Sequence, residues 1–448
     1  MIGSMMRRAL IGDGSTLSLD FTTGVLDPRL TFTRAANTAT VINSSGYVQT
    51  VNANAPRFDY DPVTLAPRGL LIEGAATNLV SYSEDFSNAA WTKSGTNGSM
   101  VLTGTAPDNN ATSRLLEENT TVYAKHSLER TSAITISGNN VYTLSVWLKE
   151  PTSNSRRYAH IQLADGQATA ARYTIVADLQ TGEISAFGAN NGTAGAPTGT
   201  AHRITAYPGG WYRVTISMNH VASPSYPSIM LGDTATLFGG NNQPFYSATT
   251  PYKGLIVWGA QLEAGSGASS YIPTGASQVT RNADKMSMTD ITSMQWNQTA
   301  GTFFLHMDVA AETNTSAFPA FMGMYTATPV RVARFLLNNS SGTNPRIGND
   351  TWTAAPTQIL SNLITRSTAP TAFKYAVSLS NTGQTVNQVV TSGSVTTTSG
   401  TGTLQTPTRL LWQQDPSALD TEYFPIHIRS LKYWPTALPN AQLQAITT

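Results

Sequence analysis

The chain has 448 residues, too many for one ordinary hydrophobic core, and 40% of them are apolar, enough to fill two or three. Charged residues reach only 12%, about half the usual share, and the net charge is +1 with Arg7-Arg8 and Arg156-Arg157 as the only adjacent basic pairs, so the basic footprint that nucleic acid needs is missing. The lack of cysteine excludes disulfide frameworks, thiolate zinc sites and thiol catalysis.

Met1 to Leu10 carries two arginines, and only Ala9-Leu10-Ile11 follows before Gly12, short of the apolar core of a signal peptide. No stretch approaches the roughly 20 apolar residues that span a bilayer, so membrane insertion is not expected. Residues 1–80, with Asp27-Pro28, Asp61-Pro62 and Ala66-Pro67, read as a turn-rich docking segment. Residues 81–280 then alternate apolar and polar side chains with a period of two. Tyr142, Leu144, Val146 and Leu148 share one face against Thr143, Ser145, Trp147 and Lys149. Tyr173-Ile175-Ala177-Leu179 predicts another strand, turned back by Gln180-Thr181-Gly182-Glu183. Tyr212, Val214, Ile216 and Met218 oppose Trp211, Arg213, Thr215 and Ser217, and Leu255–Leu262 is apolar on both faces. Residues 281–300 read as a linker. The alternation restarts in 301–448 with Phe303, Leu305 and Met307, and again with Phe373, Tyr375, Val377 and Leu379. Only Pro439–Ile446 has helical spacing, with Leu443 and Ile446 one turn apart. The fold class is therefore all-β, with two tandem antiparallel β-sandwiches behind the docking segment.

Several segments are familiar in order. Leu26-Asp27-Pro28-Arg29-Leu30-Thr31-Phe32-Thr33-Arg34 precedes Pro56-Arg57-Phe58-Asp59-Tyr60-Asp61-Pro62 and Arg68-Gly69-Leu70-Leu71-Ile72-Glu73. Gly210-Trp211-Tyr212-Arg213-Val214, Trp258-Gly259-Ala260-Gln261-Leu262-Glu263, Ser270-Tyr271-Ile272-Pro273-Thr274 and Val279-Thr280-Arg281-Asn282-Ala283-Asp284 follow. This series resembles structural proteins of tailed phages and prophages. The closing half, from Gly301-Thr302-Phe303-Phe304 to Ile428–Trp434 and Ala437–Leu443, resembles concanavalin/laminin-G sandwiches. The resemblance implies a jelly roll of carbohydrate-binding type on the virion exterior, in a tail fibre, baseplate or head spike. It also implies a homotrimer, other virion proteins bound through the N-terminal segment, and host surface polysaccharide as the outward partner.

Chemistry is harder to find. The histidines, His126, His160, His202, His220, His306 and His427, are dispersed, and no metalloprotease helix, nucleophile elbow or phosphate loop appears. Asp59-Tyr60-Asp61 and Glu84-Asp85 offer oxygen ligands to a structural calcium, but turn bonds around Pro62 account better for the first group. Neither a catalytic residue nor a cofactor is assigned. Trp147, with Lys149, and Trp211, with Arg213 and Thr215, stand on polar strand faces, the mixture of flat ring and hydrogen-bonding groups that sugars require. Packing under a loop or a neighbouring subunit is the plain alternative, and a one-residue slip would reverse the faces. Arg346, Trp352 and Trp412 are the corresponding contacts in the second sandwich. The expected function is a non-enzymatic virion adhesin for host glycans. A purely architectural decoration or connector is the main alternative, and a polysaccharide depolymerase the weaker one.

Overall fold

A computed structural model describes residues 13–35, 39–137, 140–151, 157–165, 171–190, 201–220, 224–238, 242–309, 320–327, 331–338, 346–352, 358–365, 373–380, 385–390, 393–399, 406–412 and 425–448. Every pairing between the described strands is antiparallel, and the helix Asn440–Thr447 follows the last of them. The strands form two sandwiches, which differ from the expected arrangement in their connectivity.

The first sandwich opposes a six-stranded and a five-stranded sheet. The six-stranded sheet runs Glu183–Asn190, Arg172–Asp178, Tyr158–Asp165, Ser225–Gly232, Ser127–Arg130 and Trp91–Ser94. The five-stranded one runs His202–Tyr207, Trp211–His220, Asn140–Lys149, Gly254–Ala264 and Arg114–Glu117. Alternation decides which side chains meet between them: Leu144, Val146, Val214 and Ile216 face Ile161, Leu163, Ile175 and Ile229 in one apolar core.

The second sandwich uses both ends of the chain. Ile426–Trp434 pairs with Ala300–Val309 on one side. On the other it pairs with Pro67–Ile72 and Leu17–Asp20. In the facing sheet Thr31–Thr33 pairs with Lys285–Met288, which pairs with Arg409–Trp412. Leu17, Leu70, Met286, Phe303, Tyr375 and Tyr433 therefore share one core. Residues 1–80 are thus not a separate docking segment, and residues 281–300 are not only a linker. Both supply strands because their short apolar stretches complete sheets whose other members lie hundreds of residues away. Gly69 illustrates the closeness of this pairing: at φ +95°, a Cβ there would collide with the Ile428 carbonyl.

The first sandwich is consequently an insertion within the second. The chain leaves the base sandwich through Ala76–Asn78 and returns through Val279–Arg281, and these two strands pair with each other. The Asn78 side chain clasps this neck to the insert. Its amide donates to the Ala260 and Ile272 carbonyls, and its oxygen accepts from the Val80 and Leu262 amides. All four polar capacities of a buried amide are thereby met.

Candidate functional site

The pairing register brings the five candidate residues of the insert together. Trp147 lies opposite Arg213 and Lys149 opposite Trp211, on the outer face of the five-stranded sheet that also holds Thr215. Alternation therefore reports their face correctly. That face is not an open groove. Trp147 is 1% exposed and Trp211 3%, packed with Val48, Ala106, Trp258 and Tyr271. Arg213 lies over the Trp147 ring at 4.4 Å and donates to the Ser269 carbonyl and the Ser145 hydroxyl, while Trp211 Nε1 donates to the Thr105 carbonyl. Thr215 is buried too, and Lys149 lies 6.0 Å from the Trp211 ring. The covering residues come from 39–51, 105–106 and 269–271, so the flat rings serve as a floor for the chain itself.

Trp412 is fully buried in the core of the base sandwich, because its strand places it inward beside Met286 and Met322. Arg346 and Trp352 begin and end the strand Arg346–Trp352, and their side chains lie outside the described residues. The oxygen ligands considered for calcium are engaged with protein donors. Asp59 accepts from the Ile42 amide and lies 2.7 Å from His427 Nε2, Asp61 accepts from the Val63 and Thr64 amides, and Asp85 pairs with Arg114. Among the described residues no cluster of three or more metal-ligating side chains occurs.

Charges meet instead at the neck. Arg57 Nη1 donates to Glu73 at 2.6 Å, Arg281 Nη1 to the same carboxylate oxygen at 2.5 Å, and Arg34 Nη1 to Asp284 at 3.0 Å. Arg57 also pairs with Asp284, and Ser270 of the insert donates to Glu73 through its amide and its hydroxyl. All five charged side chains are buried. Burial alone would push the Glu73 carboxyl up, yet the Arg281 and Arg57 guanidiniums hold it well below the usual carboxylate range. These residues belong to five separate stretches of the sequence, and their convergence fixes the crossing point between the sandwiches. The site is structural: every acceptor is already occupied by the protein.

The outer face of the six-stranded sheet is covered as well, with Ser127, His160 and Thr174 unexposed and Gln162 1% exposed, but it holds polar atoms without partners. On the outer face of the six-stranded sheet, the register sets Glu129, Ser228, Gln162 and Thr174 in one row across four strands. Ser127, Met230, His160 and Val176 form the next row, and Arg172 stands two residues beyond Thr174 on the same face. Arg172 Nη1 donates to Gln162 Oε1 at 3.1 Å, and Gln162 Nε2 donates to Thr174 at 2.7 Å. Three buried polar atoms here have no hydrogen-bond partner: His160 Nδ1, Ser127 Oγ and Arg172 Nε. Burial pushes the His160 imidazole down to about 4, so the ring is neutral at pH 7. Its Nε2 lies 3.4 Å from the Thr234 carbonyl, which calls for a donor there and leaves Nδ1 as an acceptor.

The chain following Gly232 runs over this face. Phe238 packs on the His160 ring, Gln243 donates to Gln162 at 3.3 Å, and Asn242 donates to the Gly188 carbonyl at 3.5 Å. Hydrogen bonds of this length are weak ones. The same segment ends at Phe245, which stacks on Tyr123 with ring centroids 6.1 Å apart, and these rings are 41% and 68% exposed. The sequence signal for this face was a second strand side carrying Arg172 and Thr174 opposite Tyr173 and Ile175.

No protein-family model matches the chain, and no curated protein matches it in sequence. Among solved structures it is similar to the CBM40 of a Ruminococcus gnavus IT-sialidase, with TM-score 0.28 and 10% identity over 34% of this chain and 84% of that one. It is also similar to the receptor-binding domain of botulinum neurotoxin type G, with TM-score 0.29 and 8% identity over 37% of this chain and 40% of that one. The binding domain of serotype D gives TM-score 0.27 and 9% identity, again spanning 40% of that chain.

Proposed function

We propose that this protein is a non-enzymatic adhesin of a tailed-phage particle, a tail-fibre or spike subunit acting as a homotrimer on the virion exterior. Glycans bind the outer face of the inserted six-stranded sheet. The observation that carries this reading is the unused hydrogen-bonding capacity of that face: an acceptor at His160 Nδ1, a donor at Arg172 Nε and a hydroxyl at Ser127. They flank a row of amide, hydroxyl and carboxylate groups spaced by about 4.8 Å, the distance between strands and close to the length of one sugar ring. Buried polar atoms without partners cost free energy, and a ligand rich in hydroxyls removes that cost. The long hydrogen bonds from Gln243 and Asn242 are what such a ligand displaces. The placement on a phage particle is supported by the ordered series of motifs from Leu26 to Asp284.

The test is binding of the purified, oligomer-defined protein to a panel of bacterial envelope glycans, with Gln162→Ala and Trp147→Phe alongside. Wild type and Trp147→Phe should bind, while Gln162→Ala, folded by circular dichroism, loses most of its affinity. If wild type binds no glycan of the panel, the adhesive reading falls and an architectural role replaces it.

A further inference from the structure

We propose that the glycan held by this face is an acidic one, whose carboxylate pairs with Arg172; the inference rests on the glycan-binding reading above. Arg172 differs from the other deeply buried arginines. Arg34, Arg57, Arg281 and Arg157 each meet a carboxylate of the protein. Arg172 is only 9% exposed, makes its single hydrogen bond to a neutral amide, and leaves Nε without a partner. No described carboxylate stands within ion-pair distance of it. Burial lowers its guanidinium pKa, and the charge of Glu129 opposes that only from a distance. A charge withdrawn from water in this way is unfavourable unless an anion meets it.

The surroundings select the kind of anion. The guanidinium edge is planar and its free Nε lies beside the hydrogen-bonding amide of Gln162, which suits a planar carboxylate next to a ring hydroxyl. Arg172 is a single cation, and Glu129 stands in the neighbouring row at 2.7 Å from Lys125, its own counter-ion. A phosphate monoester, with nearly two charges at pH 7, would need a second cation here. A sugar with one carboxylate per residue does not. The row of Gln162, Thr174 and Ser228 then has the neutral hydroxyls to bind.

The experiment uses the full chain on an array holding carboxylated, phosphorylated and neutral surface polysaccharides, and repeats the strongest carboxylated ligand after chemical reduction of its carboxyl groups to alcohols. Carboxylated glycans should dominate, reduction should abolish their advantage, and Arg172→Gln should weaken them by about 30-fold or more and neutral glycans by much less. Arg172→Gln should also melt no lower than wild type without ligand, because relief of the buried charge offsets the loss of its one hydrogen bond, to Gln162. Binding confined to neutral or phosphorylated glycans would overturn the inference and leave the adhesive reading intact. So would equal binding of a carboxylated glycan by wild type and Arg172→Gln, or a lower melting temperature of the unliganded variant. Absence of all glycan binding would refute both.

Discussion

Replacing Glu73 by glutamine tests the neck directly. Glu73 accepts from Arg57 Nη1, Arg281 Nη1, the Ser270 amide and the Ser270 hydroxyl at 2.6, 2.5, 2.9 and 2.6 Å. Three of these bonds converge on Oε2 and one on Oε1, so a glutamine with its oxygen at the Oε2 position loses the Ser270 amide bond and leaves two buried guanidiniums facing a neutral group. Removing the charge of one member of a buried pair costs about 3–5 kcal/mol. With an m-value of about 3 kcal/mol/M, the urea midpoint of the affected transition should fall by about 1–2 M, read by tryptophan fluorescence. Asp27→Asn is the control, because the Asp27–Arg29 pair is partly exposed and worth about 1 kcal/mol or less. The pH dependence has a defined sign. Glu73 has a depressed pKa in the folded state, so its contribution is full above its unfolded value of about 4.3 and is lost as pH falls below that. The gap between wild type and Glu73→Gln should be flat from pH 8 to about pH 5 and close in stronger acid. A loss below about 1 kcal/mol, or a gap that does not change in acid, would refute a charged, interlocked neck.

Trp147→Ala should lose about 3–5 kcal/mol by chemical denaturation, because it removes the floor beneath Tyr271 and Arg213; a loss of sugar binding without a loss of stability would restore the groove reading. His160→Gln should remove part of the rise in stability between about pH 4 and pH 6.5, where the unfolded chain binds a proton that the buried imidazole refuses, up to about 3 kcal/mol. Parallel melting temperatures of the two proteins across that range would sink this assignment. Deleting residues 1–80 should unfold the base sandwich, since it removes the strands Leu17–Asp20, Arg57–Tyr60 and Pro67–Ile72. A soluble deletion product with the wild-type circular dichroism spectrum and protease resistance would contradict the strand pairings.

The all-β class and most strand faces were legible because period-two alternation reports burial locally. Leu144 and Val146 went to the core and Trp147 and Arg213 to the opposite face, as read. What covers that opposite face was not legible. Val48 and Tyr271 arrive from 99 and 124 positions away from Trp147, and alternation carries no record of a partner. The neck charges were visible as Arg34, Arg57, Glu73, Arg281 and Asp284, conspicuous in a chain with 12% charged residues, but only the fold shows that they meet. The insertion stayed hidden for the same reason: a strand of three or four residues such as Thr31–Thr33 has no sequence feature naming its distant neighbour. The polar sheet face carries no distinctive mark in the sequence, because Gln162, Thr174 and Arg172 are ordinary residues made unusual only by their surroundings.

The nesting of one sandwich within the other sets an order of assembly. The insert is contiguous in sequence and has its own core, so it can form while the rest of the base sandwich is still being synthesised. As an open loop of roughly 200 residues, it would cost about 5 kcal/mol of chain entropy to bring its two ends together. Once folded, it presents Ala76–Asn78 beside Val279–Arg281 already paired, and the ends arrive as a clasp. The strands Leu17–Asp20 and Pro67–Ile72 must then wait for their partner Ile426–Trp434 to emerge. Correct assembly of this protein is therefore a matter of timing, with the insert as the early nucleus and the base sandwich as the last part to close.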